Sequence, residues 1–119
     1  MVATALTLTD GRVLDLVWDR TPLEAITTGV LLRTCYGDGW QLNRYARGEM
    51  IPYRIEDPAT LIEDPAAPEG TVTMRPALVA HLHFDPARGE ITEMRGERNW
   101  EVDNTLYAAA NAALMPMPF

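Results

Sequence analysis

The sequence Leu78-Val-Ala-His-Leu-His-Phe84 has the clearest strand pattern of the chain. Alternate residues of a β-strand point to opposite faces of its sheet, and here the two sets differ in character. One set is apolar and is expected to face the core: Leu78, Ala80, Leu82 and Phe84. The opposite face then carries His81 and His83, the only two histidines of the chain.

A returning strand is predicted beside this one. The first strand is expected to run from Thr71 to Phe84 with a break at Pro76, and Asp85-Pro-Ala-Arg-Gly89 turns it into Glu90 to Arg98. A register that keeps Thr92 and Met94 on the core side pairs His83 with Glu93 and His81 with Arg95. The register one residue away would bury Glu93 beside Leu82, which is costly.

The N-terminal part of the chain predicts a β-hairpin and then a short helix. Thr4 to Thr9 and Arg12 to Trp18 are aliphatic and β-branched runs on either side of Asp10-Gly11, a preferred hairpin turn. Thr21-Pro-Leu-Glu24 has the residues of a capping box with proline at the first helical position. We expect this helix to end near Gly29, because β-branched residues and glycine follow.

The middle of the chain predicts a three-strand meander. Its strands are Val30 to Tyr36, Trp40 to Arg47 and Met50 to Ile55, and Pro52 indicates an edge position for the last one. Residues 55–70 contain five acidic residues and no basic one, and they are rich in proline, so we predict an acidic surface loop there.

The end of the chain predicts a helix. Its apolar stripe has helical spacing, and Pro116 is expected to stop it: Val102, Leu106, Ala109, Ala110, Ala113 and Leu114. Together these elements predict a single α+β domain over residues 1–119. We expect a mostly antiparallel sheet of six to seven strands, with one short helix and the C-terminal helix packed on the sheet.

Composition excludes several classes of chemistry. The 119 residues contain no lysine and no serine, which rules out a Schiff-base lysine, a Walker-type phosphate lysine and a serine nucleophile. Cys35 is the only cysteine, and we expect it to be buried and inert in a reduced, cytoplasmic protein without a thiolate zinc site. The net charge of −7 disfavours broad attraction to nucleic acid or to anionic lipid. No apolar run approaches the roughly 18 residues of a membrane helix.

The histidine face is the first candidate site. His81, His83, Glu93 and Arg95 are predicted to share one face of the sheet, where His83 and Glu93 would be a general base and its orienting partner. Arg95 would then hold the anionic group of a small substrate or ligand. Two histidines and a carboxylate also suit a metal ion, and an ordinary polar face is the plain alternative. We predict neither a metal nor another cofactor.

An aromatic and arginine-rich stretch is the second candidate site. Its residues lie on the predicted central strands: Trp40, Arg44, Tyr45, Arg47 and Tyr53. Tryptophan, tyrosine and arginine are the residue types most often found at the energetic centre of protein interfaces. The same residues can stack exposed bases and contact phosphates of single-stranded nucleic acid. They can also simply fill the edge of the core and keep the sheet soluble.

The sequence favours a small, non-catalytic binding or accessory protein that uses this aromatic and arginine surface. A protein partner is the first choice, single-stranded nucleic acid is the second, and a homodimer can form through an exposed sheet edge. The alternatives are a small acid–base enzyme or anionic-ligand-binding protein using the histidine face, and an acidic inhibitor that mimics nucleic acid.

Overall fold

One antiparallel sheet of five strands forms the centre of the computed structural model, which describes residues 3–114. The strands are β1 (Ala3–Thr7), β2 (Val13–Trp18), β3 (Ile51–Glu63), β4 (Met74–Asp85) and β5 (Glu90–Arg95), and they lie side by side in that order. The helices are α1 (Pro22–Leu32), α2 (Gly39–Ala46) and α3 (Asn104–Leu114), with a 3-10 turn at Glu97–Asn99. The α+β class is confirmed, whereas the predicted six to seven strands are too many.

The two predicted hairpins are present. β1 and β2 pair antiparallel from Ala3 with Val17 to Thr7 with Val13, around the Asp10-Gly11 turn. β4 and β5 pair with His83 opposite Glu93 and His81 opposite Arg95, as the sequence predicts. One detail is wrong. Thr92 lies at a β-bulge and is exposed, so Ile91 occupies the core position in its place.

The predicted strand Val30–Tyr36 is wrong, because α1 continues to Leu32. The buried residues of α1 include a helical stripe, which its β-branched composition concealed: Ala25, Thr28, Gly29 and Leu32. Gly29 does not end the helix. A Cβ on Gly29 would lie 2.9 Å from the backbone nitrogen of Gly37, so glycine allows the helix and the following loop to touch.

The predicted strand Trp40–Arg47 is also wrong, because residues 40–46 lie in α2, with Asp38 as its N-cap residue and Arg47 as its C-cap residue. Gln41 is buried, and Leu42 and Tyr45 are half-buried. Tyr45 follows Leu42 by three residues and Gln41 by four, which places them on one face of a helix. Trp40 is left on the exposed side. The central meander therefore reduces to the single strand β3.

The acidic loop predicted over residues 55–70 is wrong in its first half. β3 runs on to Glu63 and pairs with β4, with a register shift between Asp57 and Leu61 that absorbs residues 58–60. The loop proper covers residues 64–73. Asp-Pro therefore interrupts the pairing of β3 without ending the strand.

The two faces of the sheet are covered by different helices. The main core lies under α3, where Leu106, Ala110 and Leu114 pack with Leu82 and Phe84. The opposite face carries His81 and His83 and lies beneath α1 and the loop that follows it. The C-terminal helix therefore packs on the sheet, as expected, but on the face opposite to the histidines.

Two further sequence expectations concern single residues. Cys35, expected to be buried, is exposed in the loop between α1 and α2. Pro116, expected to stop α3, lies outside the described residues. No helix within residues 3–114 has the length and apolar character required to cross a bilayer.

Candidate functional site

His81 and His83 form a buried cluster with two tyrosines. Each histidine is only 1% exposed. The ring of Tyr36, from the loop after α1, stacks on His81 at a centroid distance of 4.3 Å and on His83 at 5.5 Å. Tyr45 of α2 meets the His83 ring edge-on at 5.4 Å. We call Tyr36, Tyr45, His81 and His83 the tyrosine–histidine cluster.

The Tyr45 hydroxyl connects α2 to both neighbouring segments. It lies 2.7 Å from the Tyr36 carbonyl oxygen and 2.6 Å from Nε2 of His83. A carbonyl oxygen can only accept, so the hydroxyl donates its proton to Tyr36 and Nε2–H of His83 donates to the hydroxyl oxygen. The neutral His83 ring then carries its proton on Nε2 and has a bare Nδ1.

Burial keeps both imidazoles neutral. Desolvation lowers the pKa of His83 to about 4, with a smaller contribution from Arg44. It lowers the pKa of His81 to about 3, assisted by the neighbouring His83 and Arg95. Neither ring nitrogen of His81 has a hydrogen-bond partner within residues 3–114. The cluster is therefore an uncharged, stacked layer between the sheet and the helices at neutral pH.

A buried ion pair adjoins this cluster. The Tyr36 hydroxyl donates to Oδ2 of Asp19 at 2.7 Å, and Arg54 forms an ion pair with Oδ1 of the same carboxylate. Burial raises the pKa of Asp19, and the bonds from Tyr36 and Arg54 oppose that rise. Arg54 also contacts Glu24 at 3.7 Å and Glu56 at 3.5 Å. These contacts attach the loop after α1 to Asp19, the residue that follows β2, and through it to Arg54 of β3.

Glu93 and Arg95 lie at the outer edge of the histidine face. Oε2 of Glu93 is 3.5 Å from Nδ1 of His83, the ring nitrogen without a proton. Arg95 is closest to Glu101, with Nη1 4.0 Å from Oε1. The four residues predicted as catalytic thus share one face, but the two imidazoles are enclosed beneath Tyr36 and Tyr45. Within residues 3–114, no three histidine, cysteine or acidic side chains are placed to hold a metal ion.

The second candidate site is divided by the structure. Trp40, Arg44 and Arg47 lie on the outer side of α2, which we call the α2 surface. Trp40 is 65% exposed, and the Arg44 guanidinium carbon lies 5.1 Å from its ring centroid. Glu49 pairs with both Arg44, at 3.5 Å, and Arg47, at 3.3 Å. One carboxylate therefore pairs with both arginines, and one of them, Arg44, lies beside the exposed indole.

The other two predicted binding residues do not belong to this surface. Tyr53 is buried in the core beneath α3, on the opposite face of the sheet. Tyr45 turns inward from α2 to His83. The sequence placed all five residues on adjacent strands, and the helical conformation of residues 39–46 separates them.

Sequence reasoning missed an apolar cleft of about 310 Å³ near the start of α1. Its lining includes Trp18, Arg20, Leu42, Met50 and Pro52, which come from three separate segments. The only sequence signal near this cleft was the helix start at Thr21-Pro22. The cleft itself arises from the packing of α2, and that segment was predicted as a strand. The position of Tyr36 over both histidines could not be read from the sequence either, because it depends on the contact between α1 and the loop after it.

The sequence matches no protein-family model, and comparison with curated proteins and with solved structures likewise finds no match.

Proposed function

We propose that this chain is a non-catalytic binding protein that recognises a protein partner through the α2 surface. The observation that carries the proposal is the exposed indole of Trp40, held beside Arg44 on a helix that is itself fixed by Tyr45. A large exposed aromatic residue with a neighbouring arginine is a typical centre of a protein interface. The cytoplasmic location expected from the sequence is part of this proposal.

The geometry of the α2 surface indicates the chemistry of the partner. Trp40 needs an apolar pocket that buries its ring, and Arg44 and Arg47 together exceed the single charge of Glu49. A complementary partner therefore presents an apolar depression beside a carboxylate. Charge-assisted contacts of arginine with a carboxylate are strong because they can be bidentate.

Single-stranded nucleic acid is the second choice for the same surface. The free side of the Trp40 ring can stack on a base, and Arg44 lies beside the ring. The chain as a whole carries a net charge of −7, however, and Glu49 already partly neutralises both arginines. These charges favour the protein partner.

The remaining alternatives receive less support from the structure. An acid–base enzyme would need Tyr36 or Tyr45 to move before a substrate could reach the histidines. An acidic mimic of nucleic acid would need free carboxylates, but Glu56 pairs with both Arg54 and Arg75. A homodimer through the edge strand β1 is compatible with the α2 surface, because β1 and α2 are separate elements.

Affinity capture with quantitative comparison of variants tests the proposal. Wild-type protein and Trp100→Ala serve as matched baits, because Trp100 is 67% exposed and lies outside α2. Trp40→Ala and Arg44→Ala are the two test baits. We expect neither of them to capture a specific protein that the wild type and Trp100→Ala both capture. Capture of the same proteins at equal levels by all four baits would contradict the proposal. Titration with a mixed-sequence single-stranded oligonucleotide, at low and then physiological salt, decides between the two partner classes.

A further inference from the structure

We infer that the apolar cleft near the start of α1 binds a small molecule that carries one apolar ring and a carboxylate. This is a second site, distinct from the α2 surface, since Trp40, Arg44 and Arg47 do not line the cleft. Its volume of about 310 Å³ is at the lower end of the range of small-molecule sites, which begins near 300 Å³. One ring with a short chain is a ligand of suitable size.

The floor of the cleft is suited to a ring. Ala25, Met50 and Pro52 are buried there, and Trp18 and Leu42 are half-buried beside them. Tyr45 also lines the cleft, but its hydroxyl is used by Tyr36 and His83. The lower part of the cleft therefore presents aliphatic and aromatic carbon, which favours an apolar group.

The charges at the cleft favour an anion. Asp19 and Arg20 are the two charged residues of its lining. The Asp19 carboxylate is buried and held by Tyr36 and Arg54, so its charge is already compensated. Arg20 is exposed at the rim, and its guanidinium carbon lies 5.8 Å from the Trp18 ring centroid.

No carboxylate of residues 3–114 forms an ion pair with the Arg20 guanidinium. The planar guanidinium group can therefore donate two parallel hydrogen bonds to a ligand carboxylate. Trp18, whose ring lies beside this guanidinium, also lines the cleft, so the positive charge is near the apolar lining. A ligand with an apolar ring and a carboxylate matches this combination.

The experiment uses 4-phenylbutyrate as the probe and its neutral amide, 4-phenylbutyramide, as the matched control. The full chain is titrated and followed by two-dimensional ¹H–¹⁵N NMR. The indole N–H of Trp18 and the amide of Gly48 report on the cleft. The indole N–H of Trp100, which does not line the cleft, is an internal control. The three indole signals are assigned with Trp40→Phe and Trp100→Phe.

We expect saturable shifts of Trp18 and Gly48 with the carboxylate, and at least tenfold weaker binding of the amide. Arg20→Gln should reduce the affinity for 4-phenylbutyrate to the level of the affinity for 4-phenylbutyramide. It should leave the affinity for 4-phenylbutyramide unchanged. Ala46→Phe, at the exposed rim of the cleft, should abolish the binding of both probes. Should this variant fail to fold, Arg20→Gln carries the test, because its side chain is exposed.

Two results would overturn the inference. If Trp18 and Gly48 show no saturable shifts, the cleft is not a binding site. If the acid and the amide bind with equal affinity, the site does not recognise a carboxylate. Trp40→Ala should leave these shifts unchanged. The ligand site and the partner surface can therefore fail independently of each other.

Discussion

The Cβ atom that Gly29 lacks would lie 2.9 Å from the backbone nitrogen of Gly37, and a Cβ on Gly37 would lie 2.6 Å from Cα of Ile26. These two glycines therefore bring α1 into backbone contact with the loop after it. That loop carries Tyr36, whose ring covers both histidines. The glycine pair thus determines how the histidine face is closed.

Gly29→Ala is expected to destabilise the protein by about 1–3 kcal/mol, because the added methyl group meets backbone. In an exposed helix the same change normally stabilises by up to about 1 kcal/mol, so the sign is diagnostic. Gly39→Ala in α2 is the matched control, since nothing lies within 4 Å of its Cβ position. Urea denaturation measures both variants. Equal free energies of unfolding for the two variants would show that the close approach is unimportant.

Tyr45→Phe is expected to lower the free energy of unfolding by about 1–3 kcal/mol. The change removes a hydroxyl that bonds both His83 and the Tyr36 carbonyl, and it leaves buried polar atoms without that partner. Tyr107→Phe on the exposed part of α3 is the control and should change stability by less than about 0.5 kcal/mol. Should Tyr45→Phe be as stable as its control, the hydroxyl does not hold α2 in place.

Acid is expected to destabilise the fold through the two histidines. Their folded pKa values, about 3 for His81 and about 4 for His83, lie below the ordinary value of 6.5. Below pH 6.5 the unfolded chain therefore binds protons that the folded chain does not, so stability falls as the pH falls. With both histidines the loss approaches roughly 3 kcal/mol per pH unit.

The variant His81→Leu isolates half of this effect. Neither nitrogen of His81 has a partner within residues 3–114, so leucine should be tolerated at neutral pH. The slope of unfolding free energy between pH 6.5 and 5 should fall by about half, as measured by urea denaturation at each pH. An unchanged slope would show that His81 is not buried in its neutral form.

The strands were easier to predict than the helices because a period of two survives in short segments. The pairing of His83 with Glu93 followed from keeping Thr92 and Met94 on the core side; the pairing is the observed one, although only Met94 faces the core. Residues 26–30 have low helix propensity, and only their packing on the sheet makes them helical. Propensity therefore placed a strand where α1 ends, and the glycines of Gly37-Asp-Gly39, interpreted as a turn between strands, placed another where α2 lies.

The candidate site was predictable only in part, for the same reason. The shared face of His81 and His83 depends on one hairpin, which the sequence specifies locally. Its cover depends on Tyr36, which lies in the loop after α1, and on Tyr45, which reaches His83 because residues 39–46 form a helix. Trp40 was singled out by its residue type, whereas its exposure beside Arg44 arises from the spacing of four residues in that helix.

Recognition through the α2 surface is tested most directly by the dissociation constant of the captured protein partner for Trp40→Ala, compared with that for Trp100→Ala. We predict that Trp40→Ala weakens binding by about 30-fold or more, the effect of removing an aromatic residue from an interface centre. Its thermal stability should remain close to that of the wild type, since the exposed contact with Arg44 contributes only about 0.5–1 kcal/mol. Equal dissociation constants for the two variants, or unfolding of Trp40→Ala, would contradict the assignment of the α2 surface as the recognition site.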